Sequence, residues 1–355
     1  MSKAAELAAL IGSQSALSNR NLIINGAMQV AQRGDSTGKT ATGYYGPDRY
    51  QLTLSSLGTW SISQSSTAPS GFGNSYKLEA TTNDASPAAS DYALFLQKFE
   101  GQNLQQLKKG TASAESVTLS FWVRSSKTGT YIVELFDNDN SRSISASYTI
   151  SAADTFEYKT LTFAGDTTGA FDDDNASSLE AIWWLAAGTD FTSGTLNTSW
   201  GTRTNANIAV GQVNMADTAN ATWFITGVQL EVGETATPFE HRSFGDELLK
   251  CQRYFSHSGD TRNNGIVHSC YTTTSAYANP HFVITMRTAP SLTMKASGRN
   301  FFSNNASRTI TAFTPQNVGT QNFQHHVQGS GFTSGDAGHV DVDQATRFFE
   351  ADAEL

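Results

Sequence analysis

Two alternating patterns meet out of phase at Gly227. Trp223 and Ile225 occupy one parity of the run WFITGVQLEV, while Val228, Leu230 and Val232 occupy the other. Side chains on a strand alternate between faces, so an apolar set can switch parity and still face one core only if a residue is inserted. The run therefore predicts a strand with a β-bulge at Gly227, and commits this part of the chain to a sheet with a buried face. Gly233-Glu234-Thr235 then turns the chain, Pro238 denies further central-strand pairing, and Phe239 is left as a plug. Gly245-Asp246 opens a short helical run over 247–255, with Leu248, Leu249, Cys251 and Tyr254 as its less polar positions. Residues 223–255 read as the last strand of one β-domain, a strap, and a helical junction into a second.

The rest of the chain takes its class from the same period of two. Leu22, Ile24, Met28 and Val30 share a face across Gly26 and suggest a first strand. Leu52 and Leu54, then Trp60 and Ile62, suggest a hairpin around residues 55–58. Tyr76 and Leu78, then Tyr92, Leu94 and Leu96, continue the pattern. Val117, Leu119, Phe121 and Val123 alternate with polar or larger partners and give the clearest half-buried strand. Tyr131, Val133 and Leu135, then Leu161 and Phe163, then Leu179, Trp183 and Leu185 complete the set. Short strands without intervening amphipathic helices predict an all-β chain: a β-sandwich jelly roll over 21–240, a helical junction over 241–256, and a smaller C-terminal β-sandwich over 257–355. In that last region, 270–271, 282–286, 292–295, 309–313 and 323–327 read as strands, with breaks at Pro280, Pro290 and Pro315, and 329–343 reads as loop.

Residues 1–20 stand apart. Ala-rich residues 2–11 can form a short helix capped by Ser2 and stopped by Gly12, and Leu7, Leu10 and Ile11 give it one apolar stripe. So short a helix does not hold itself, because isolated helices need roughly 12–15 residues. It must dock on its own domain, on a partner, or on copies of itself.

Composition narrows the functions. A formal charge of −9 over 355 residues opposes nucleic acid as a partner, since phosphate binding needs clustered Lys and Arg. No run approaches the ~18 apolar residues that suggest a membrane span. The N-terminus lacks a charged n-region followed by an apolar h-region, so synthesis without a secretion signal is expected. Cys251 and Cys270 lack metal spacing and read as thiols rather than a disulfide. The seven His residues, including His325-His326, have no zinc-hydrolase context, and 172–175 (DDDN) lacks the order of a calcium loop. No nucleophile elbow or phosphate-cradling loop is present. A pair of hydrolytic carboxylates brought together by folding stays possible, but nothing singles one out. The expectation is a protein without catalytic residues, metal or cofactor.

Aromatic residues are the more useful signal. A pyranose ring stacks on a flat aromatic face while polar neighbours match its hydroxyls. Trp122 lies on the polar parity of its strand, and Trp183-Trp184 must present one ring to each face. Tyr44 and Tyr45 sit in a Gly-flanked loop, where rings are expected to be exposed. These four, Trp122, Trp184, Tyr44 and Tyr45, are the glycan-binding candidates; the competing reading of each is packing in a core or against another subunit. Trp60 and Trp223 are assigned to the core.

The closing segments VQLEVG, ATPFE and CQRYF, with the opening NLIINGAMQVAQRG at 21–34 and PDRY at 47–50, resemble bacteriophage virion fibre proteins of the tail-fibre and adhesin type. MRTAPSLTM at 286–294 and the final ADAEL are similar to segments of the same family. The resemblance implies a carbohydrate-binding-module-like jelly roll on a virion appendage assembled in the host cytoplasm. It also implies a homotrimer that meets other virion proteins through the N-terminal helix and binds host surface glycans, with the C-terminal domain over 257–355 as a candidate receptor-binding tip. Three Leu7, Leu10 and Ile11 stripes around an axis would bury apolar side chains at about 1.5–3 kcal/mol each. A decoration fibre without receptor duty is the alternative, and a polysaccharide depolymerase is a further one.

Overall fold

The computed structural model describes Lys3 and residues 19–258, 266–294, 299–342 and 347–355. The expected helix with Leu7, Leu10 and Ile11 lies outside the described residues. The chain divides into two units: a first that runs to Glu247 and includes Leu355, and a second, Leu248–Glu354.

Among the described residues the first unit has thirteen strands. They are β1 (Ser36–Lys39), β2 (Gly43–Tyr44), β3 (Gln51–Ser55), β4 (Trp60–Ser65), β5 (Ser75–Ala80), β6 (Tyr92–Glu100) and β7 (Val117–Ser125). There follow β8 (Gly129–Asp137), β9 (Arg142–Ile150), β10 (Glu157–Phe163), β11 (Ser177–Ala187), β12 (Gly201–Thr202) and β13 (Ala221–Val232). A first sheet has the order β1-β4-β5-β13-β7-β10, and a second β12-β9-β8-β11-β6-β3-β2. Their facing sides share one core. Trp223 of the first sheet packs on Phe95 of the second at 5.3 Å, and Phe121 on Trp183 at 5.7 Å. The all-β sandwich expected from the alternation is the architecture the chain adopts.

The bulge forms where the parity switch places it. Thr226 pairs with Trp122 and Gln229 with Ser120, so three steps on β13 oppose two on β7. Gly227 takes φ +62°, and Ile225, Val228 and Leu230 all remain fully buried. On the far side of β13 the bulge turns Gln229 and Glu231 outward, and the strap folds back over them. Thr237 donates to Glu231 through N and Oγ1 at 2.9 and 2.7 Å, and the Glu240 N–H donates to Gln229 Oε1 at 2.8 Å. The opening segment is fastened to the same strand: Asn21 Oδ1 accepts from Leu230 N, and its Nδ2 donates to Val228 O. Asp48 accepts from Gln32 N at 2.9 Å, tying PDRY to the opening run. The opening run, PDRY, VQLEVG and ATPFE thus act as clasps that join the two ends of one sandwich.

Several expected elements differ. The opening run is not a strand: Asn25 and Met28 adopt positive φ, and the Asn25 amide bonds Val30 and Asp48 in a compact turn. β3 and β4 do not form a hairpin, because they belong to different sheets and Gly58, at φ +64°, turns the chain between them. β9 was not expected, although Ile144, Ala146, Tyr148 and Ile150 alternate with Ser143, Ser145, Ser147 and Thr149 along it. The core-facing residues of β6 are Ala93, Phe95 and Phe99, while Leu94 and Leu96 face away.

A helix, α1 (Phe244–Gln252), crosses the boundary between the units; Ser243 Oγ accepts from Asp246 N at 3.1 Å and caps it. The strands of the second unit are β14 (Phe255–His257), β15 (Val267–Cys270), β16 (Ser275–Ala278), β17 (Ser291–Met294) and β18 (Arg299–Ser303). β19 (Ala306–Gln316), β20 (Gln324–Gly329), β21 (Ala337–Val342) and β22 (Phe349–Asp352) complete it. The smaller β-domain expected here consists of two sheets, one of which closes on itself. β15-β16-β20-β19-β18-β21 form a barrel, and β14-β22-β17 a small sheet. Residues 282–286 are irregular rather than a strand, although Phe282 and Met286 are buried; β21 occupies part of the expected loop, and Pro315 lies inside β19. As adjacency in a strand requires, His325 points into the barrel and His326 out. His268 Nδ1 lies 3.1 Å from the Ile266 carbonyl and carries the proton there, which leaves Nε2 to accept from His325 Nδ1 at 2.7 Å. Burial pushes the His268 pKa down to about 4. Cys251 and Cys270 are both buried thiols.

Candidate functional site

The bulge at Gly227 also shapes the outer face of the first sheet. Trp122 on β7 points outward between Thr226 of β13 and Tyr158 of β10, its two cross-strand partners. The Trp122 and Tyr158 rings lie 5.3 Å apart at 49°. Gly227 has no side chain to fill the next position, and Phe72 from the β4–β5 loop takes the space. A Cβ on Gly227 would stand 2.6 Å from Phe72 Cζ and 3.1 Å from Trp122 Cδ1. Phe72 in turn meets Phe239 of the strap at 5.1 Å and His241 at 5.3 Å. A row of rings, Tyr158, Trp122, Phe72, Phe239 and His241, therefore crosses the face. Tyr158 is 45% exposed, His241 is exposed, and the other three are half-buried.

Two further cross-strand rows flank the rings. On one side stand Ser120 and its partner Thr160; on the other, Arg124, Phe224 and Lys77. Arg124 is held by Asp154 at 3.1 Å and stacks its guanidinium on Phe224 at 5.0 Å. Beside Trp122, the buried Thr226 hydroxyl finds no hydrogen-bond partner among the described residues. Flat rings between hydroxyls and a fixed guanidinium are suited to reversible binding of a polar, ring-shaped ligand.

Trp184 meets different surroundings. It points outward from the second sheet, as parity requires, but residues 188–213 fold over that face and leave it 1% exposed. Phe191 packs on it at 5.3 Å, and its Nε1 donates to Glu134 Oε2 at 3.2 Å. Arg203 closes the cover by donating to both Glu134 oxygens, at 2.7 and 3.2 Å. Nearby Glu180 has a raised pKa because of its burial, opposed by Lys98 and Arg203 and reinforced by Glu134. The expectation that Trp184 offers its ring to a glycan is corrected: the covering segment already occupies that face.

Tyr44 and Tyr45 are half-buried rather than exposed. The Tyr44 hydroxyl donates to the Leu355 carbonyl at 2.9 Å, with Arg33 over its ring at 5.4 Å. The Tyr45 ring lies over Gly43, beneath Lys39 at 4.9 Å. Neither joins the Trp122 row. Sequence reasoning missed Tyr158 and Phe72. Phe72 carries the Gly-flanked signal that singled out Tyr44 and Tyr45, and Tyr158 shares the outward parity of Thr160 and Thr162.

Among the described residues no three His, Cys, Asp or Glu side chains gather as a metal site. An oxygen-rich cage made by Asp137, Asp166 and the Thr168 and Gly169 carbonyls holds the Lys109 ammonium, with contacts of 2.5 to 3.2 Å.

No family model and no curated protein matches this chain. Among solved structures it is similar to the enzymatically active domain of bacteriophage CBA120 tailspike protein 4, at 13% identity and a TM-score of 0.29, over 60% of this chain and 21% of that one. It is similar to TmCBM61 in complex with β-1,4-galactotriose, at 8% identity and a TM-score of 0.33, over 61% and 100%. It is also similar to the CBM22-1 xylan-binding domain of Paenibacillus barcinonensis Xyn10C, at 9% identity and a TM-score of 0.27, over 61% and 96%. Likenesses this low decide neither ligand nor activity, and the site stands on its own residues.

Proposed function

We propose that the chain is a non-enzymatic attachment protein of a bacteriophage virion, which holds host surface glycans on the Tyr158–Trp122–Phe72 row. The observation that carries the binding role is the row itself: adjacent rings on an outer sheet face, with Tyr158 45% exposed and Trp122 and Phe72 half-buried among the described residues. Pyranose C–H faces stack on the rings, while the exposed Thr160 and the Arg124 guanidinium in the adjoining rows meet hydroxyls. The clasp motifs support the virion assignment through their resemblance to phage fibre proteins. In this proposal the chain works as a homotrimer whose N-terminal segment meets other virion proteins; a monomeric mass for the full chain at micromolar concentration removes that part.

The binding role is tested with a printed glycan array, followed by titration calorimetry on the best glycan. Truncating an aromatic at the centre of an interface costs about 2 kcal/mol or more, roughly 30-fold in affinity. Trp122→Ala and Tyr158→Ala are each expected to weaken binding by about that factor while the protein stays folded. Unchanged affinity in the double variant, or release of sugar fragments by the purified protein, counts against the reading.

A further inference from the structure

The second unit carries an exposed groove of about 370 Å³ on the outer wall of its barrel. One cross-strand row forms its centre: Val267 of β15 pairs with His339 of β21, which pairs with Phe302 of β18. Val267 is 66% exposed, and the His339 and Phe302 rings lie 5.7 Å apart and within 17° of parallel. The turn from β18 to β19 forms the rim. Asn304 and Asn305 both take positive φ there, +49° and +57°, as a two-residue hairpin turn demands. That geometry accounts for their backbones and leaves both amides at the edge of the groove. Asn304 is fixed by donating to Asp336 Oδ2 at 2.7 Å, and Asn305 is exposed. Gly338 lies between the outward residues Ala337 and His339 and faces inward, where a Cβ would stand 2.4 Å from the buried Phe301 Cζ.

We infer that this groove is a second carbohydrate subsite, which takes a neutral hexose or N-acetylhexosamine unit. Its volume falls in the range of small-ligand pockets, roughly 300–1,000 Å³. The lining combines aromatic and apolar surface for the C–H face of a sugar with amides that both donate to and accept from hydroxyls. An imidazole, a phenyl ring and carboxamides match a neutral ring better than an anion. The inference extends the glycan-binding reading to the second unit, and it stands or falls separately from the Trp122 row.

The test uses the full chain and a printed array of hexose and N-acetylhexosamine oligosaccharides. The Trp122→Ala/Tyr158→Ala variant is expected to retain at least one glycan. Adding His339→Ala or Phe302→Ala then weakens that residual binding about ten-fold or more. His339 is exposed, so its variant keeps the melting temperature and separates loss of contact from loss of fold. Loss of every glycan in the Trp122→Ala/Tyr158→Ala variant overturns the second subsite and leaves the first reading intact. Residual binding that ignores both His339→Ala and Phe302→Ala overturns its location. If the unmodified chain binds nothing on the array, both readings fall together.

Discussion

Trp122 and Trp184 each point away from the main core, one from the first sheet and one from the second, but only Trp122 keeps an open ring. The faces begin alike, with an outward indole amid cross-strand neighbours. On the second sheet those neighbours are Leu94, Leu96, Ile132 and Ile182, and residues 188–213 bury them together with Trp184 as a small second core. On the first sheet Trp122 stands between Thr226 and Tyr158, flanked by a Ser120–Thr160 row on one side and an Arg124–Phe224–Lys77 row on the other. An apolar sheet face is driven to acquire a full cover, whereas Trp122 stays partly accessible beside the exposed Tyr158 and Thr160 of the edge strand β10. Outward parity makes a ring available, and the neighbouring rows decide whether it remains so.

The largest expected effect comes from Trp184→Ala. Removing a sealed indole costs about 3–5 kcal/mol, read as the urea midpoint of the first unit, with the second unit as an internal reference. A loss below about 1 kcal/mol would show that the cover is loose and would erase the contrast between the faces.

A smaller effect is expected from pH. Burial raises the folded pKa of Glu180 above its ordinary value of 4.5, so the folded state binds the proton more tightly than the unfolded chain. Its contribution is fully present below 4.5 and is lost as pH rises through the folded value. Glu180→Gln should flatten that decline in a series of melts from pH 4 to pH 8. An unaltered slope would mean that the covered face does not penalise the carboxylate.

The smallest stability effect belongs to Trp122→Ala, expected at under about 1 kcal/mol because the ring is half-buried on an outer face. The same substitution should have the largest effect on glycan binding. A cost as large as that of Trp184→Ala would place Trp122 in a structural role and remove the reason to read its row as a site.

Much of the sandwich was legible because its strands carry period-two alternation, most plainly Val117, Leu119, Phe121 and Val123. β9 and β21 were not read as strands, although Ile144, Ala146, Tyr148 and Ile150 alternate with Ser and Thr along β9; in β21 only Val340 and Val342 mark the apolar parity. The irregular opening run was mistaken for a strand because Asn25 and Met28 hide positive φ within an apolar spacing. Of the site, Trp122 was found from its parity. Tyr158 was not, since its place beside Trp122 depends on the pairing register of β10 with β7, residues about 35 apart along the chain. Phe72 joins them only because the bulge leaves Gly227 without a side chain.

The sequence by itself determined the all-β class, the bulge at Gly227, the core places of Trp60 and Trp223, and the outward direction of Trp122 and Trp184. Each follows from the alternation of side chains along a strand, which is a local property. Tertiary structure decided which sheet each strand joins, that the second unit closes a barrel, and that residues 188–213 bury Trp184 while the strap and the β4–β5 loop leave Trp122 half-buried beside an exposed Tyr158. Those outcomes depend on which distant segments bury apolar area against one another, and local periodicity carries no record of that choice.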